Sequence, residues 1–452
     1  MRFFRILLCA TAASLSSTSS FAAPDDSRLR EIAAAPDAAE LHTTIAALVG
    51  FGTRHTLSDP TSATRGIGAA RNWVRARLEK ISADCGQCLS VTAVSRSVTG
   101  ERIPSLTEVV DVVAIQKGTE DPDRVVVITG HIDSRVSDIL NSTADAPGAD
   151  DDGSGVAVVL EAARILSRYK FPATIVYGVL SGEEQGLYGG KILAETAEEH
   201  RWRVEADLNN DIVGAVRGQN GVVDNTRLRV FSEGTRAVET ADEARRRRFE
   251  GGEDDSASRN VARYAKAVAE RYLANWTVVL IYRVDRYRRG GDHEAFNELG
   301  FPGVRFTENS EDYRHQHQDV RVESGIAYGD AIEYLDFAYL AKVTATNALA
   351  AAAMASAPPP PTGVKIAGAV SPDTRLSWTV SPGTAATTTY RVYWRDTASA
   401  AWTNFRDAGN ADSLLLTNVV IDDYVFGVAS VAPDGVESPV VFAGSAGAFW
   451  SP

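Results

Sequence analysis

Two runs of apolar, β-branched residues in this chain each end just before a charged segment. The first run, residues 125–128, leads through Thr-Gly to His131, and the second, residues 174–180, leads through Ser-Gly to Glu183. Short apolar runs bounded by such turn residues predict buried strands. In open α/β sheets the binding sites lie beyond the carboxyl ends of the strands. We therefore expect both charged segments to lie at this edge of a sheet.

Segments with helical periodicity alternate with the predicted strands. Residues 69–81 show the amphipathic pattern of a helix, and a further helix is predicted over residues 156–169. This alternation favours an α/β fold, in which helices cover both faces of the sheet. A chain of 452 residues is long enough for two or three domains.

The first residues have the order of a signal peptide. Arg2 and Arg5 precede an apolar stretch, residues 6–13, and small residues follow it. We predict a signal peptide over residues 1–22, cleaved after Ala22 or one residue later. The apolar stretch is too short to cross a bilayer. We expect a soluble mature protein without membrane insertion, either secreted or periplasmic.

The charge of the chain argues against two classes of partner. The formal net charge is −13 at pH 7. A surface of that charge repels nucleic acid and anionic lipid, so neither is an expected partner. Charges of both signs are dense between residues 239 and 260, and we interpret this segment as a solvated helix and loop in preference to a substrate clamp.

Cysteine is rare in the chain. Beyond the predicted signal peptide only Cys85 and Cys88 remain, in the sequence Cys-Gly-Gln-Cys. In an exported protein this spacing predicts a short-loop disulfide. A redox motif is the second interpretation, because no thioredoxin-like context surrounds the pair.

A proline-rich segment, residues 357–361, divides the chain. Consecutive prolines form an extended spacer, so residues 23–356 and 362–452 are predicted to be separate domains joined by an exposed linker. Short alternating strands with turn signals follow the linker, as in a β-sandwich. Their order resembles a fibronectin type III domain with Trp378 in its core, and another small sandwich is the alternative. We expect this domain to bind a surface or a polymer, and the linker to be a site of trimming.

The first charged segments contain residue types that bind metal ions. His131 is followed two residues later by Asp133, and strand alternation places both side chains on one face. A ligating histidine usually donates its other ring nitrogen to a carboxylate, but such a pair is equally common as a surface hydrogen bond. The run from Asp150 to Asp152 is best tolerated beside a cation and a helix N-terminus, although alone it indicates only an acidic helix cap.

Glu183 and Glu184 add a second function to the predicted site. Side chains of adjacent residues at a strand end diverge, so one carboxylate can bind a metal while the other reaches a metal-bound water. A pair of glutamates alone is commonly just solvated. Directly after an apolar strand, and between Gly182 and Gly186, the pair predicts a metal ligand beside a general base.

An ordered set of motifs connects these segments. Together the motifs resemble the di-zinc aminopeptidases related to glutamate carboxypeptidase and transferrin receptor, over residues 131–319. The motifs are Gly-His-x-Asp-Ser, Pro-Gly-Ala-Asp-Asp-Asp-Gly-Ser-Gly, Gly-Glu-Glu-x-Gly-Leu-x-Gly, Asn210-Asp211, Gly291-Asp292-His293 and His315-Gln-His317-Gln-Asp319. The resemblance implies a three-layer zinc-peptidase fold, with a mixed central sheet flanked by helices, beside the C-terminal β-sandwich.

The resemblance also implies two zinc ions, Zn²⁺, in the domain at residues 23–356. Glu183 would be the general base, and Asp133 would orient a ligand histidine. His315 is preferred to His317 as the last ligand, because it matches the family spacing His-x-x-Gln-Asp. The implied ligands are His131 and Asp211 for one zinc, Glu184 and His315 for the other, and Asp151 as the bridge between them.

The activity implied by the resemblance is removal of N-terminal residues from peptides or proteins, through a zinc-bridged water. One alternative is a glutaminyl cyclase with a single zinc. Another is a carboxypeptidase or dipeptidase, which needs a cationic pocket for the substrate carboxylate, with Arg283, Arg286, Arg288 and Arg289 as candidates. A binding protein without activity is the last alternative, and it predicts lost ligands, whereas all the expected ligand types are present.

Overall fold

The structure is a computed structural model, and it describes residues 26–450. The predicted signal peptide, residues 1–22, lies outside the described residues. Within the described range, no helix combines the length and the apolar composition needed to cross a membrane.

A mixed sheet forms the centre of the fold. Its strands are β1 (Ser90–Gly100), β2 (Ile103–Gln116), β3 (Asp121–His131), β4 (Ala173–Leu180), β5 (Arg203–Asn210), β6 (Arg227–Ser232), β7 (Thr277–Ile281) and β8 (Gly303–Glu308). They lie in the order β1-β2-β4-β3-β5-β8-β6-β7. The central strands β4, β3, β5 and β8 are parallel. The β1–β2, β2–β4 and β6–β8 pairs are antiparallel, so the sheet is mixed, as the resemblance implies.

Helices cover both faces of this sheet. They are α1 (Ser27–Ala34), α2 (Ala38–Val49), α3 (Gly66–Asp84), α4 (Gly153–Leu166), α5 (Tyr188–Glu199), α6 (Ala241–Glu250), α7 (Ala257–Tyr272), α8 (His293–Glu298) and α9 (Phe337–Ser356). Alternate residues of β3 point to opposite layers. Val126 and Ile128 belong to the core that includes α4 and α9, whereas Val125 and Val127 pack with α5 and α8. The three-layer α/β prediction is confirmed.

Short strands make up the rest of the structure. A two-stranded ribbon consists of β9 (Arg321–Glu323) and β10 (Ile326–Tyr328). The C-terminal strands are β11 (Thr362–Ala367), β12 (Thr374–Thr379), β13 (Thr389–Asp396), β14 (Asn404–Gly409), β15 (Ser413–Leu416), β16 (Tyr424–Val431) and β17 (Val441–Phe442). They form two antiparallel sheets, β11-β12-β15 and β14-β13-β16-β17. Trp378 is buried among them, as predicted.

The start of α4 differs from the sequence prediction. The helix begins at Gly153 and not at residue 156, because Asp152 is its N-cap and accepts a hydrogen bond from the Gly155 amide at 2.9 Å. The acidic run is therefore in direct contact with the helix N-terminus, where its charge is stabilised.

Cys85 and Cys88 form the predicted disulfide. Their sulfur atoms are 2.10 Å apart. Cys85 caps the C-terminus of α3, so the bridge closes the turn between this helix and β1.

The prediction of an exposed proline linker is wrong. Pro359, Pro360 and Pro361 are buried. Arg124, from β3, donates to the Ala357 carbonyl at 2.7 Å. The reason is that a polyproline segment leaves its carbonyl groups free to accept hydrogen bonds, and here neighbouring side chains supply donors.

Buried polar contacts also join the C-terminal sheets to α7 and the loop before it. Asp255 lies 2.6 Å from Arg395 of β13 and 3.2 Å from Arg263 of α7. Trp402 donates to Asn260 Oδ1 at 3.1 Å. Our interpretation of residues 239–260 as solvated therefore holds for α6, which has no buried residue, and is wrong for the segment after it.

We expect these contacts to protect the proline segment from proteolysis. Native protein digested briefly with proteinase K should be cut in α6 and should remain intact between residues 356 and 362, because cleavage requires an accessible, locally unfolded chain. Mass spectrometry of the fragments measures both sites in one digest. Early release of a stable fragment that begins near residue 357 would contradict this expectation.

Candidate metal centre

Three neighbouring parallel strands deliver the predicted site residues to one edge of the sheet. β3 lies between β4 and β5, so their carboxyl ends meet. His131 is the last residue of β3, Asp211 directly follows β5, and Glu183 and Glu184 lie just beyond β4. The convergence predicted from the two apolar runs is confirmed.

One group of potential ligands contains His131, Glu183 and Asp211. Nε2 of His131 lies 4.0 Å from Glu183 Oε2 and 3.9 Å from Asp211 Oδ2. Their ligand atoms all lie within 4.8 Å of one another, a spacing that suits a single cation.

A second group contains Asp151, Glu184 and His317. Nε2 of His317 lies 2.9 Å from Asp151 Oδ2 and 3.1 Å from Glu184 Oε1. The other oxygen of Asp151, Oδ1, lies 3.3 Å from Nε2 of His131. The two oxygens of this one carboxylate therefore face one histidine of each group.

The structure brings His317, and not the preferred His315, to Asp151 and Glu184. His315 Nδ1 lies 3.0 Å from the Gly329 carbonyl oxygen, and its ring stacks on Tyr334 with the centroids 3.7 Å apart. The two histidines point to different places because the intervening chain forms a turn, with φ of 52° at His317, and not an extended strand. Motif spacing does not report this turn.

The three adjacent aspartates have different contacts. Asp150 accepts a hydrogen bond from the Gly214 amide at 2.7 Å, and Asp152 accepts one from the His131 amide at 2.9 Å. Asp151 alone points into the site. Asp150 and Asp152 thus hold the backbone on either side of the bridge position.

The Asp133 carboxylate holds the glutamate pair. It accepts hydrogen bonds from the amides of Glu183 at 3.3 Å and Glu184 at 3.2 Å, and from the Thr56 hydroxyl at 2.9 Å. Nδ1 of His131 lies 3.0 Å from the main-chain oxygen of Asp133 and 3.6 Å from its carboxylate. The main chain of Asp133 therefore makes the closer contact to the histidine, and its carboxylate positions both glutamates.

The site fits a cation on chemical grounds. The buried Nε2 of His131 has no hydrogen-bond partner within residues 26–450, although buried polar atoms normally have one. Burial raises the pKa of Glu183 well above its usual value. Burial alone would lower the pKa of His131, but the surrounding carboxylates, Glu183 foremost, raise it well above its usual value. Imidazole and carboxylate groups at this close spacing are the donor set of a zinc site.

The same region of the chain matches known proteins. Residues 111–324 match the sequence profile of peptidase family M28. A protein named probable zinc metalloprotease from Leptosphaeria maculans is 43% identical over 407 residues, which cover 90% of this chain and 94% of that relative. A protein of the same name from Pyricularia oryzae is 43% identical over 411 residues, which cover 89% of this chain and 82% of that relative. The chain belongs to peptidase family M28. It is accordingly a hydrolase of the peptidase class.

A solved structure supports the fold of this M28 peptidase. The LapA aminopeptidase of Legionella pneumophila superposes with a TM-score of 0.54 at 19% identity, covering 76% of this chain and 78% of that one. At this identity the likeness shows the fold alone.

Two arginines of the M28 site were not predicted from sequence. Arg135 lies 2.8 Å from Glu184 Oε2, and its guanidinium is 2.6 Å from Nδ1 of His317. Arg305 is fully buried and lies 2.8 Å from Asp211 Oδ1 and 2.9 Å from Asp285. Arginines have no distinctive spacing relative to the ligand motifs, so sequence offered no signal for them.

Asp292 and His293 lie outside the two groups of potential ligands and contact main-chain atoms near the M28 site. Asp292 accepts a hydrogen bond from the Gly190 amide at 3.1 Å, and Nε2 of His293 lies 2.9 Å from the Val284 carbonyl oxygen. Asp285, His293 and Glu294 could also surround a cation. Asp285 is already paired with Arg305 at 2.9 Å and with Arg286 at 3.2 Å, however, so protein charge neutralises this carboxylate.

Proposed function

We propose that the protein is an exported aminopeptidase that uses two zinc ions. The observation that carries this proposal is the placement of Asp151, whose two oxygens face His131 and His317 at 3.3 and 2.9 Å. A carboxylate shared in this way suits a pair of cations. His131 and Asp211 would complete one site, and Glu184 and His317 the other.

Zinc bound by these residues would supply Lewis acidity, which lowers the pKa of the attacking water toward neutrality. Glu183 is 12% exposed and borders the cavity, so it can reach the attacking water. It accepts one proton from the water as the oxygen attacks the scissile carbonyl carbon. The carbon–nitrogen bond then breaks, and Glu183 returns the proton to the departing amine. Asp133 keeps Glu183 in place through the amide at 3.3 Å.

The experiment that tests this function compares free and blocked substrates. Zinc-loaded protein without residues 1–22 is assayed on leucine and glutamate p-nitroanilides and on their N-acetyl forms. An aminopeptidase cleaves only the free-amine forms. Equal cleavage of both forms rules out an aminopeptidase. If neither form is cleaved and the dipeptide Leu-Gly is not cleaved either, with two zinc ions bound, the cyclase or the binding protein is favoured.

The two late histidines provide a matched test of the ligand set. We expect His317→Ala to lower the zinc content from two ions to about one per chain, because a site left with two protein ligands binds weakly. His315→Ala removes a histidine two positions away and should keep both ions. Elemental analysis after dialysis measures the difference. If His315→Ala loses zinc and His317→Ala does not, His315 is the ligand.

We also propose that the signal sequence exports the protein and that residues 362–452 form a fibronectin type III-like domain. The strand orders β11-β12-β15 and β14-β13-β16-β17 support the second proposal. Sequencing the N-terminus of protein recovered outside the cytoplasm tests the first, with Ala23 or Pro24 expected as the first residue.

A further inference from the structure

The cavity that contains the candidate metal centre is also lined by arginines. Its volume is about 340 Å³, and it reaches Glu183, Glu184 and Asp211. Among residues 26–450, only Leu187 lines the cavity with a large apolar side chain. The arginines around the cavity are Arg102, Arg135, Arg286, Arg288 and Arg289. A molecule bound in this volume would therefore contact both the metal ligands and guanidinium groups.

The charges of the cavity do not cancel. Two divalent cations would balance the carboxylates of Asp151, Glu183, Glu184 and Asp211, which leaves the arginines to be neutralised by other groups. Arg135 pairs with Glu184, which is already counted among these ligands. The cavity would then carry excess positive charge.

One carboxylate serves several of the arginines at once. Glu311 is 2.5 Å from Arg229, 3.5 Å from Arg286 and 3.4 Å from Arg289. Burial alone would raise the pKa of Glu311, but the guanidiniums of Arg286 and Arg229 lower it to about 2. Arg286 also pairs with Asp285 at 3.2 Å through Nε, but its buried Nη1 makes no hydrogen bond within residues 26–450. A buried donor left without an acceptor is costly, and an acceptor group on a bound ligand can satisfy it.

Two arginines at the cavity have no carboxylate partner within residues 26–450. Arg102 donates to the main-chain oxygen of Glu184 at 3.1 Å, and Arg288 lies over the Tyr287 ring at 5.3 Å. Neither forms an ion pair with any described residue. Both are exposed, so an incoming ligand can reach them.

The loop that carries Arg286, Arg288 and Arg289 is held in place before any ligand binds. Arg305 donates to Gly290 O at 2.8 Å and lies 2.9 Å from Asp285, so it fixes both ends of the arginine segment. The Ser232 amide donates to the Arg283 carbonyl at 2.9 Å. A site organised in advance loses little entropy when it binds its ligand.

From this arrangement we propose that the site selects peptides with a carboxylate close to the scissile bond. This proposal rests on the proposed function, since it uses the metal centre to place the peptide. Guanidinium groups bind carboxylates through paired, charge-assisted hydrogen bonds. The carboxylate is either the side chain of an acidic N-terminal residue or the free C-terminus of a dipeptide. An apolar N-terminal residue would meet one large apolar side chain, Leu187, among the described residues that line the cavity.

Two pairs of substrates distinguish these sources. Glutamate and glutamine p-nitroanilide differ only in the side-chain carboxylate, and Leu-Gly and Leu-Gly amide differ only at the C-terminus. With zinc-loaded protein, kcat/KM should favour the acid over its amide by about tenfold to 100-fold in at least one pair, as expected for hydrogen bonds to a charged group. The pair that shows the preference identifies the source. About equal rates within both pairs would overturn the proposal.

The neighbouring arginines supply a matched variant and control. Arg288→Met should reduce the preference for the acid, whereas Arg283→Met should preserve it. Both residues lie over the Tyr287 ring, at 5.3 and 5.7 Å, but only Arg288 lines the cavity. A loss of preference in both variants alike would attribute it to the general charge of the loop and would count against the site.

A binding measurement separates this proposal from the proposed function. Calorimetric titration of zinc-loaded protein with glutarate and with glutaramate requires no cleavage, and each ligand keeps one carboxylate for the metal. We expect tighter binding of glutarate, lost in Arg288→Met and kept in Arg283→Met. If no peptide is cut but glutarate shows this pattern, the peptidase function fails and the carboxylate site stands. If glutarate and glutaramate bind equally, the carboxylate site fails.

Discussion

Replacing Glu183 with glutamine is expected to lower kcat by about 10²–10⁴-fold while both zinc ions stay bound. The amide has nearly the same shape as the carboxylate but cannot accept the proton of the attacking water. Because the loss affects the chemical step, KM should change little. Steady-state kinetics together with zinc analysis of the same sample measures both effects.

Glu184→Gln is the matched control for this experiment. The same substitution one residue later removes a proposed ligand that lies 3.1 Å from His317, so zinc should be lost from one site and excess zinc should restore part of the activity. Glu183 lies 4.0 Å from His131 within the other group of potential ligands. The same zinc analysis therefore also tests whether Glu183 is a ligand and not the base. If Glu183→Gln loses zinc instead, Glu183 is a ligand and another group must be the base.

Replacing Arg305 with leucine is expected to destabilise the protein by about 3–5 kcal/mol, the usual cost of removing one partner from a buried ion pair. Arg305 is fully buried, and its loss leaves the carboxylates of Asp211 and Asp285 without their common partner. That is a large part of a total stability of about 5–15 kcal/mol. Denaturant unfolding of the variant and the wild type gives the difference.

Two controls make the Arg305 result specific. Arg96→Leu removes the same side chain from an exposed pair with Glu199, where the expected loss is about 0.2–1 kcal/mol. Bound metal itself stabilises the folded state. Repeating the unfolding after chelation therefore separates the stability that the arginine contributes from the stability that zinc contributes. A difference between Arg305→Leu and the wild type that disappears in the chelated protein would show that the arginine acts only through metal binding.

The α/β layers and the convergence of the charged segments were predictable because both depend on local patterns. The apolar runs before His131 and Glu183 lie within β3 and β4, and the parallel order of a β4-β3-β5 sheet brings the ends of these strands together. The buried proline segment was not predictable in this way. Its environment is set by Arg124, which lies more than two hundred positions earlier in the chain.

The late histidine shows the limit of motif spacing. His315 and His317 are equivalent in residue type and differ in the chain direction around them, which the left-handed backbone at His317 decides. The arginines show a different limit. Arg286, Arg288 and Arg289 were candidates for a cationic pocket, and only the fold places all three beside the metal ligands.

The sequence by itself determined which chemical groups the protein has and which strand ends deliver them, because periodicity and residue type are local properties of the chain. The tertiary structure alone decided which groups face one another. It selected Asp151 from three adjacent aspartates by engaging Asp150 and Asp152 with backbone amides, and it selected His317 by a turn. Contacts between distant segments of the chain decide which side chain points into the site. Each contact depends on where the backbone of the second segment lies in the folded protein.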